Sequence, residues 1–143
     1  MKLNLDCIRE ILMWLEENQT MERINEKTAE HLGVEPYYTG RPNAIPVGCL
    51  IGKVGVFSEA DILYSVKQMG ENGMLNVSVE FGNIGSVQDI TPQGHEFLEN
   101  IRSDTNWNKI KERAAEVGSS SISVLEKIAS NVISALIKSQ MGL

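Results

Sequence analysis

The apolar and polar residues between Ser58 and Arg102 follow three successive patterns. After Ser58, a favoured N-cap residue, apolar residues recur at helical spacing up to about Gly70. Residues 74–81 then alternate between apolar and polar side chains, as a half-buried strand does. These patterns predict a helix followed directly by a strand.

A tight turn and a second helix complete the unit. The glycines in residues 82–85, together with Asn83, predict the turn, and residues 87–90 predict the returning strand. Thr91 and Pro92 suit the N-cap and the first position of the next helix. A helix, a two-stranded ribbon and a helix in this order are typical of a winged helix-turn-helix. We therefore predict an α+β winged-helix fold with a two-stranded wing.

The segments before this unit are less regular. Residues 5–18 have the apolar stripe of an amphipathic helix, whereas residues 19–32 are polar and form either a short helix or a mobile connector. Residues 33–57 contain three of the four prolines and five glycines, which predict an irregular insertion. Within it, residues 49–57 are rich in strand-forming side chains, so we expect an extended segment beside the wing and no second helix.

The helix that begins at Thr91 has two possible lengths. It either continues to Val117 or breaks at Ser103, in which case Asp104 would cap a new helix. Gly118 then predicts a stop, after which the chain restarts as another helix.

The last predicted helix, about 122–141, carries an apolar stripe wider than a coiled-coil seam. The rest of the chain or a second copy must cover this stripe, and we predict a homodimer formed through this helix. The residues predicted to make the contact are Ile122, Leu125, Ile128, Ala129, Val132, Ile133 and Leu136. The chain thus divides into a winged-helix domain at 1–102, with its insertion at about 33–57, and a C-terminal helical extension at 103–143.

Composition narrows the class of protein. A hydrophobic content of 42% is enough for a packed core. The sequence has no apolar run long enough to cross a bilayer and no apolar signal-peptide segment, and its two cysteines form no redox motif. We therefore expect a cytoplasmic protein that contacts no membrane. The net charge of −6 counts against unaided binding to nucleic acid.

Residue spacing does not indicate an enzyme. A metal site would require Cys7, His31, Cys49 and His95 to converge from distant positions, so we predict none. His95 lacks a partner carboxylate at useful spacing and is better interpreted as a structural histidine at a helix start. The glycines of GKVGVFS do not have phosphate-loop spacing. We expect a non-enzymatic protein without a cofactor.

Three stretches, MKLNLDCIREIL, SEADILYSVKQM and ITPQGHEFLENIRSDTNW, resemble a family of small bacterial and phage proteins known only as a domain of unknown function. The family pattern pairs an opening MKxDxxxxRxIL helix with LTxxGHxFLxxIR…W and a C-terminal helical hairpin. The resemblance covers residues 1–18, 57–75 and 90–140, and leaves residues 19–56 unmatched.

The sequence departs from this family pattern at two positions. Ser65 stands where many relatives have histidine, and Ile90 stands where leucine is commoner. The resemblance implies a winged-helix protein of phages and mobile elements, and it brings no catalytic residue with it.

Two functions from different classes remain open, and the predicted fold favours the first. The first is a DNA-binding transcriptional regulator that acts as a dimer, because winged helices commonly read duplex DNA with the helix before the wing. The wing has no Lys or Arg, however, and that helix starts with Glu59 and Asp61, which weakens the case. The side chains predicted to contact DNA are Tyr64, Ser65, Lys67, Gln68 and Asn83.

The second function is an acidic protein-interaction module that binds a host or phage protein, for example as an inhibitor of a host defence system. The acidic total favours such a role, because a negative surface can occupy a groove built for nucleic acid. Reversing the charge of Lys67 should weaken DNA binding and leave the protein-binding role intact.

Overall fold

A computed structural model describes residues 1–118 and 121–142 of the chain. The fold is α+β, with helices packed around a small antiparallel sheet and a second two-stranded sheet beside it. None of the described helices is long and apolar enough to cross a membrane.

The chain alternates between helices and short strands. The helices are α1 Leu5–Asn18, α2 Glu26–Leu32, α3 Glu59–Glu71, α4 Pro92–Ile101, α5 Asp104–Val117 and α6 Ile122–Gln140, with a single 3₁₀ turn at Val47–Cys49. The strands are β1 Met21–Arg23, β2 Tyr38–Pro42, β3 Ile45–Pro46, β4 Leu75–Glu80 and β5 Asn83–Ile90.

Each helix begins after a side chain that accepts a hydrogen bond from a backbone N–H in the first turn, which satisfies an otherwise unpaired donor. The capping residues are Asn4, Asn25, Ser58, Thr91, Ser103 and Ser121. The caps predicted at Ser58 and Thr91 are confirmed. The chain breaks after α4 as one alternative required, but the cap is Ser103 and not Asp104, which is the first residue of α5.

The main sheet has the strand order β3–β5–β4, so β5 lies in the centre and β4 forms an edge. Val87 of β5 pairs with Ile45 on one side and with Val77 on the other. The β4–β5 pairing contains two register shifts, each typical of a β-bulge. The predicted hairpin is confirmed, although β5 begins at Asn83 and is longer than the predicted 87–90.

The predicted extended segment at residues 49–57 is wrong. The chain forms a 3₁₀ turn and further tight turns there, with the N–H groups of Lys53 and Val54 bonded to the carbonyl of Leu50. Leu50 and Val54 are fully buried, four residues apart on one side of this compact segment. Burial against the core thus overrides the local strand propensity. The strand that pairs with the hairpin is β3 instead.

Residues 19–44 form a small unit of two strands with a helix between them in the chain. The short helix, one of the two predicted alternatives for residues 19–32, is confirmed as α2. The strands β1 and β2 were not predicted. Strand β1 pairs with β2 in an antiparallel ribbon, and α2 lies between them with Gly33 in a left-handed C-cap. Gln19 fastens the unit to the main sheet, since its amide donates to the carbonyls of Asn43 (2.8 Å) and Gln88 (3.0 Å).

One hydrophobic core joins the main sheet to α1, α3, α4, α5 and the first half of α6. Phe97 and Trp107 are its largest fully buried side chains. Helix α6 packs on α4 and α5, and its first half contributes to this core.

Candidate functional site

The exposed sides of α3 and of the β4–β5 hairpin meet in a groove of about 850 Å³, which we call the α3–hairpin groove. The surface around it is the α3–hairpin face. The volume of the groove lies within the range of about 300–1,000 Å³ typical of ligand pockets. The residues that line it are Met1, Ala60, Leu63, Tyr64, Lys67, Gly70, Glu71, Val77, Val79, Gly82, Asn83 and Ile84.

Most of the groove lining is apolar. Leu63 and Tyr64 contribute from α3, and the valines of β4 contribute from the facing strand. Gly70 allows the two elements to approach, because a side chain there would meet Val77 Cγ2 at 3.0 Å. Val79 is 64% exposed, which is unusual for a valine within a strand. The groove therefore exposes apolar area that the chain itself does not cover.

The segment that carries the α3–hairpin face is acidic and poor in basic side chains. Residues 58–90 contain five carboxylates and a single basic side chain, Lys67, which gives a net charge of −4. Lys67 is itself paired with Glu71, with 2.6 Å between Nζ and Oε1. The hairpin contributes no Lys or Arg. A phosphate backbone would therefore find no cationic side chain on the hairpin and only the Glu71-paired Lys67 on α3.

The tip of the hairpin carries an unusual residue. Phe81 and Gly82 both have positive φ, 53° and 80°, as the central residues of a type I′ turn do. Asn, Asp and Gly are favoured at such positions, and the left-handed conformation costs other residues about 1–2 kcal/mol. Phe81 is also fully exposed. The chain thus exposes an aromatic side chain to solvent at a turn position whose left-handed backbone conformation is unfavourable for it.

The predicted DNA-contacting residues do not form one exposed set. Tyr64, Lys67 and Asn83 line the α3–hairpin groove, and Gln68 is half-buried. Ser65 is completely buried and cannot contact a partner, so its assignment is corrected. It lies on the core side of α3, because helical spacing turns it away from Tyr64.

Ser65 contacts the core without an oxygen or nitrogen partner among the described residues. Its neighbour is Cys7, whose pKa is raised by burial. Cys49 is exposed, and the two thiols are unpaired.

The residues predicted to form a dimer contact divide into two groups. The first four on α6 are buried against α4 and α5 of the same chain, so they are not available to a second copy. These residues are Ile122, Leu125, Ile128 and Ala129. Only the later three keep some exposed surface, and they are Val132, Ile133 and Leu136. The rest of the chain covers the first half of the stripe, as one of the two alternatives required.

The two histidines lie on separate helices, His31 on α2 and His95 on α4. Among residues 1–118 and 121–142, no three His, Cys, Asp or Glu side chains lie close enough together to hold a metal ion. His95 is exposed on α4. It lies near Glu16, whose pKa is lowered mainly by hydrogen bonds from Arg102, with distances of 2.7 Å to each oxygen. This arrangement ties α1 to the end of α4.

The GHxFL motif has a structural role at the start of α4. Gly94 is buried, and a side chain there would collide with the carbonyl oxygen of Met74 and with Ile90. Thr91 caps the helix and donates its hydroxyl to the carbonyl of Gly73 at 2.6 Å. The motif therefore locks α4 onto the turn that joins α3 to β4.

Arg9 forms a second structural junction, which sequence reasoning missed. Its guanidinium donates to the carbonyls of Ile101 (2.9 Å) and Arg102 (2.6 Å) and to the carboxylate of Asp104 (2.8 Å). It also lies over the ring of Trp107, 5.9 Å from the centroid. A charged residue inside the apolar stripe of α1 was the signal that could have identified it.

Trp107 and Asp6 extend this junction. The indole N–H donates to Asp6 at 2.8 Å, and Lys111 reaches the same carboxylate oxygen at 3.0 Å. Burial raises the pKa of Asp6, but these hydrogen bonds and the charges of Lys111 and Arg9 outweigh it, so the pKa is lowered. Arg9, Gly94 and Trp107, which belong to the family pattern, thus maintain the fold.

The model of the family described as Hypothetical protein (DUF2513) matches residues 2–121. The match includes residues 19–56, which the resemblance left unmatched, and it ends before α6. No curated protein and no solved structure matches the chain.

Proposed function

The chain belongs to the family described as Hypothetical protein (DUF2513), and we propose that it is a non-enzymatic winged-helix protein whose α3–hairpin face binds another protein. In this proposal α3 takes the place of the recognition helix and the β4–β5 hairpin is the wing. The protein acts in the cytoplasm, and its partner is a host or phage protein.

The order of the elements supports the winged-helix assignment. In a winged helix, the first strand precedes the recognition helix and pairs with the last strand of the wing. Here β3 precedes α3 and pairs with β5, which gives the order β3–β5–β4. The 3₁₀ turn at Val47–Cys49 occupies the place of the usual second helix. Fold analogy alone, however, does not decide what the face binds.

The scarcity of Lys and Arg on α3 and the hairpin is the observation that favours a protein partner. A domain that binds duplex DNA gains most of its affinity by neutralising phosphates with Lys and Arg. The net charge of −4 on residues 58–90 is the opposite of that requirement. The apolar groove and the exposed Phe81 are instead typical of a protein interface, which gathers aromatic and apolar anchors at its centre.

DNA binding is the second candidate, and one observation favours it. Tyr64 and Lys67 lie on the accessible side of α3, as contact with bases in a major groove would require. Because the sheet order is that of a winged helix, this side would face the duplex in the usual docking mode.

Fluorescence anisotropy with a random-sequence duplex across a salt series separates the two candidates. We expect no binding tighter than about 100 µM at low salt, which is the weak end of non-specific association. The Lys67→Glu variant should behave like the wild type. Binding that is lost steeply with added salt, and weakened by Lys67→Glu, would refute the protein-binding proposal.

A charge-converted variant tests whether the carboxylates of residues 58–90 prevent DNA binding. Changing Glu59, Glu71 and Glu80 to Lys alters the net charge of residues 58–90 from −4 to +2. We expect this variant to gain salt-sensitive DNA binding, because the scaffold then presents cations along α3 and the wing. The control carries Lys at three exposed glutamates elsewhere. They are Glu17, Glu30 and Glu112. Equal gains in both variants would mean that total charge, and not this face, controls DNA binding.

Self-association through the later half of α6 also stays a proposal. Val132, Ile133 and Leu136 are half-exposed, and they continue the apolar stripe beyond the buried residues. Sedimentation equilibrium should show a dimer that Leu136→Glu dissociates, whereas a monomeric wild type at high concentration would contradict this part of the proposal.

A further inference from the structure

A groove of about 570 Å³ lies between the exposed sides of α5 and α6, which are consecutive in the chain and pack against each other. We call it the α5–α6 groove. Its α6 side carries Val132, Ala135 and Leu136, none of which the chain buries completely. The groove thus has an apolar wall on α6 and a charged wall on α5. The residues that line the α5 side are Asn106, Lys109, Glu112, Arg113 and Glu116.

The four charged residues of this α5 wall form two rows. Lys109 and Arg113 are four residues apart, so they are neighbours on the helix surface. Glu112 and Glu116 have the same spacing. One row is therefore positive and the row beside it is negative. Like charges at this spacing slightly destabilise a helix, so the arrangement does not serve α5 on its own.

These charges are available to a partner. The ion pair between Arg113 and Glu116 has a distance of 3.8 Å, and the two side chains are 68% and 69% exposed. A long, exposed pair of this kind contributes little to stability. In the described part of the chain, Lys109 and Glu112 form no ion pair. The charged wall is thus nearly unsatisfied within one copy.

The order of the charges along α5 is self-complementary. A two-fold axis perpendicular to α5, placed between Glu112 and Arg113, brings an antiparallel copy of the helix beside the first. Each residue then faces the one that lies equally far on the other side of the axis. Lys109 faces Glu116 of the second copy, and Glu112 faces Arg113 of the second copy. Every charge meets an opposite one, and each contact occurs twice, as two-fold symmetry requires.

We infer that the α5–α6 groove binds a second copy of the chain through an antiparallel contact between the two α5 helices, an inference that rests on the self-association proposed above. Val132 and Leu136 supply the apolar area of the contact. The charge rows of α5 set its orientation and register, because opposite charges across an interface favour one alignment over others. The contact is small, so we expect a dissociation constant on the order of 10–100 µM and a monomer at low micromolar concentrations.

Two charge-swapped variants of the full chain test this register. The first combines Lys109→Glu with Glu116→Lys, which exchanges the members of one predicted pair and leaves every charge facing an opposite one. The second combines Lys109→Glu with Glu112→Lys, which puts like charges opposite each other at all four contacts. Both variants keep the net charge of −6. Both also place opposite charges four residues apart within α5, so they are matched in helix stability.

Sedimentation equilibrium at up to about 300 µM protein measures the association of each variant. We expect the first variant to match the wild-type dissociation constant within about threefold and the second to associate at least about tenfold more weakly. Circular dichroism melts show that each variant is folded.

Three outcomes would overturn the inference, and they separate it from the proposed function. If the two variants associate equally well, or if the first is as weak as the second, the antiparallel α5 contact is wrong while self-association through α6 stands. A wild type that stays monomeric throughout would remove both the contact and that self-association. The protein-binding role proposed for the α3–hairpin face does not depend on any of these results.

Discussion

Removing the guanidinium of Arg9 should destabilise the protein by more than the loss of an exposed ion pair would, because Arg9 is buried. The Arg9→Met variant keeps the apolar stem that packs in α1 but leaves the carbonyls of Ile101 and Arg102 without their donor. A buried polar group without its partner costs about 1–3 kcal/mol. The Asp104 carboxylate is 89% exposed, so its ion pair adds at most about 1 kcal/mol. We expect a total loss of about 3–5 kcal/mol.

Urea denaturation followed by circular dichroism measures this loss. With a slope of about 2 kcal/mol/M, the midpoint of Arg9→Met should fall by about 2 M. Asp104→Asn should cost less than about 1 kcal/mol. The control is Arg113→Met. Within the described part of the chain, the ion pair of Arg113 is an exposed one with Glu116 at 3.8 Å, so this variant should change stability by less than about 0.5 kcal/mol.

The comparison of Arg9→Met with Asp104→Asn decides the reasoning. If the two variants lose similar stability, the ion pair and not the carbonyl contacts would hold α1 to the end of α4. A loss below about 1 kcal/mol for Arg9→Met would show that water replaces the guanidinium at both carbonyls. It would refute the structural role of Arg9.

Three further variants probe other parts of the molecule by thermal or urea melts. Ser65→Ala should raise stability by about 0.5–1 kcal/mol, because it removes a buried hydroxyl that lacks an oxygen or nitrogen partner; a clear loss would mean that contact with Cys7 matters more. Phe81→Asn should raise stability by about 1 kcal/mol, because asparagine tolerates the left-handed turn; no gain would show that Phe81 is unstrained. Asp6→Asn should destabilise at neutral pH, and the difference should shrink as pH falls below 3.8, because a lowered pKa stabilises only while Asp6 is ionised. A difference independent of pH would contradict this assignment.

Local signals explain which parts of the fold could be predicted. The caps at Ser58 and Thr91 and the glycine at 118 act within one turn of helix, so they fix boundaries without reference to the rest of the chain. The alternation in β4 likewise reports a half-buried strand. The α+β class and the hairpin followed from these signals.

Long-range contacts explain what could not be predicted. Residues 49–57 have strand-forming side chains, but burial of Leu50 and Val54 in the core favours compact turns. The apolar stripe of α6 predicts that the stripe is buried but not which surface covers it. In the structure, α4 and α5 of the same chain cover its first half. The groove depends on how α3 meets the hairpin, so no sequence pattern could place Leu63 and Val79 in the same groove.

The central claim is that the α3–hairpin face contacts a protein. The most direct measurement is photocrosslinking in cells from a benzoyl-phenylalanine placed at Phe81, with the same group at Val117 as the matched exposed control. The account predicts adducts from position 81 that protease removes and nuclease does not, with none of equal strength from position 117. Nuclease-sensitive adducts at position 81, or equal protein adducts from both positions, would contradict it.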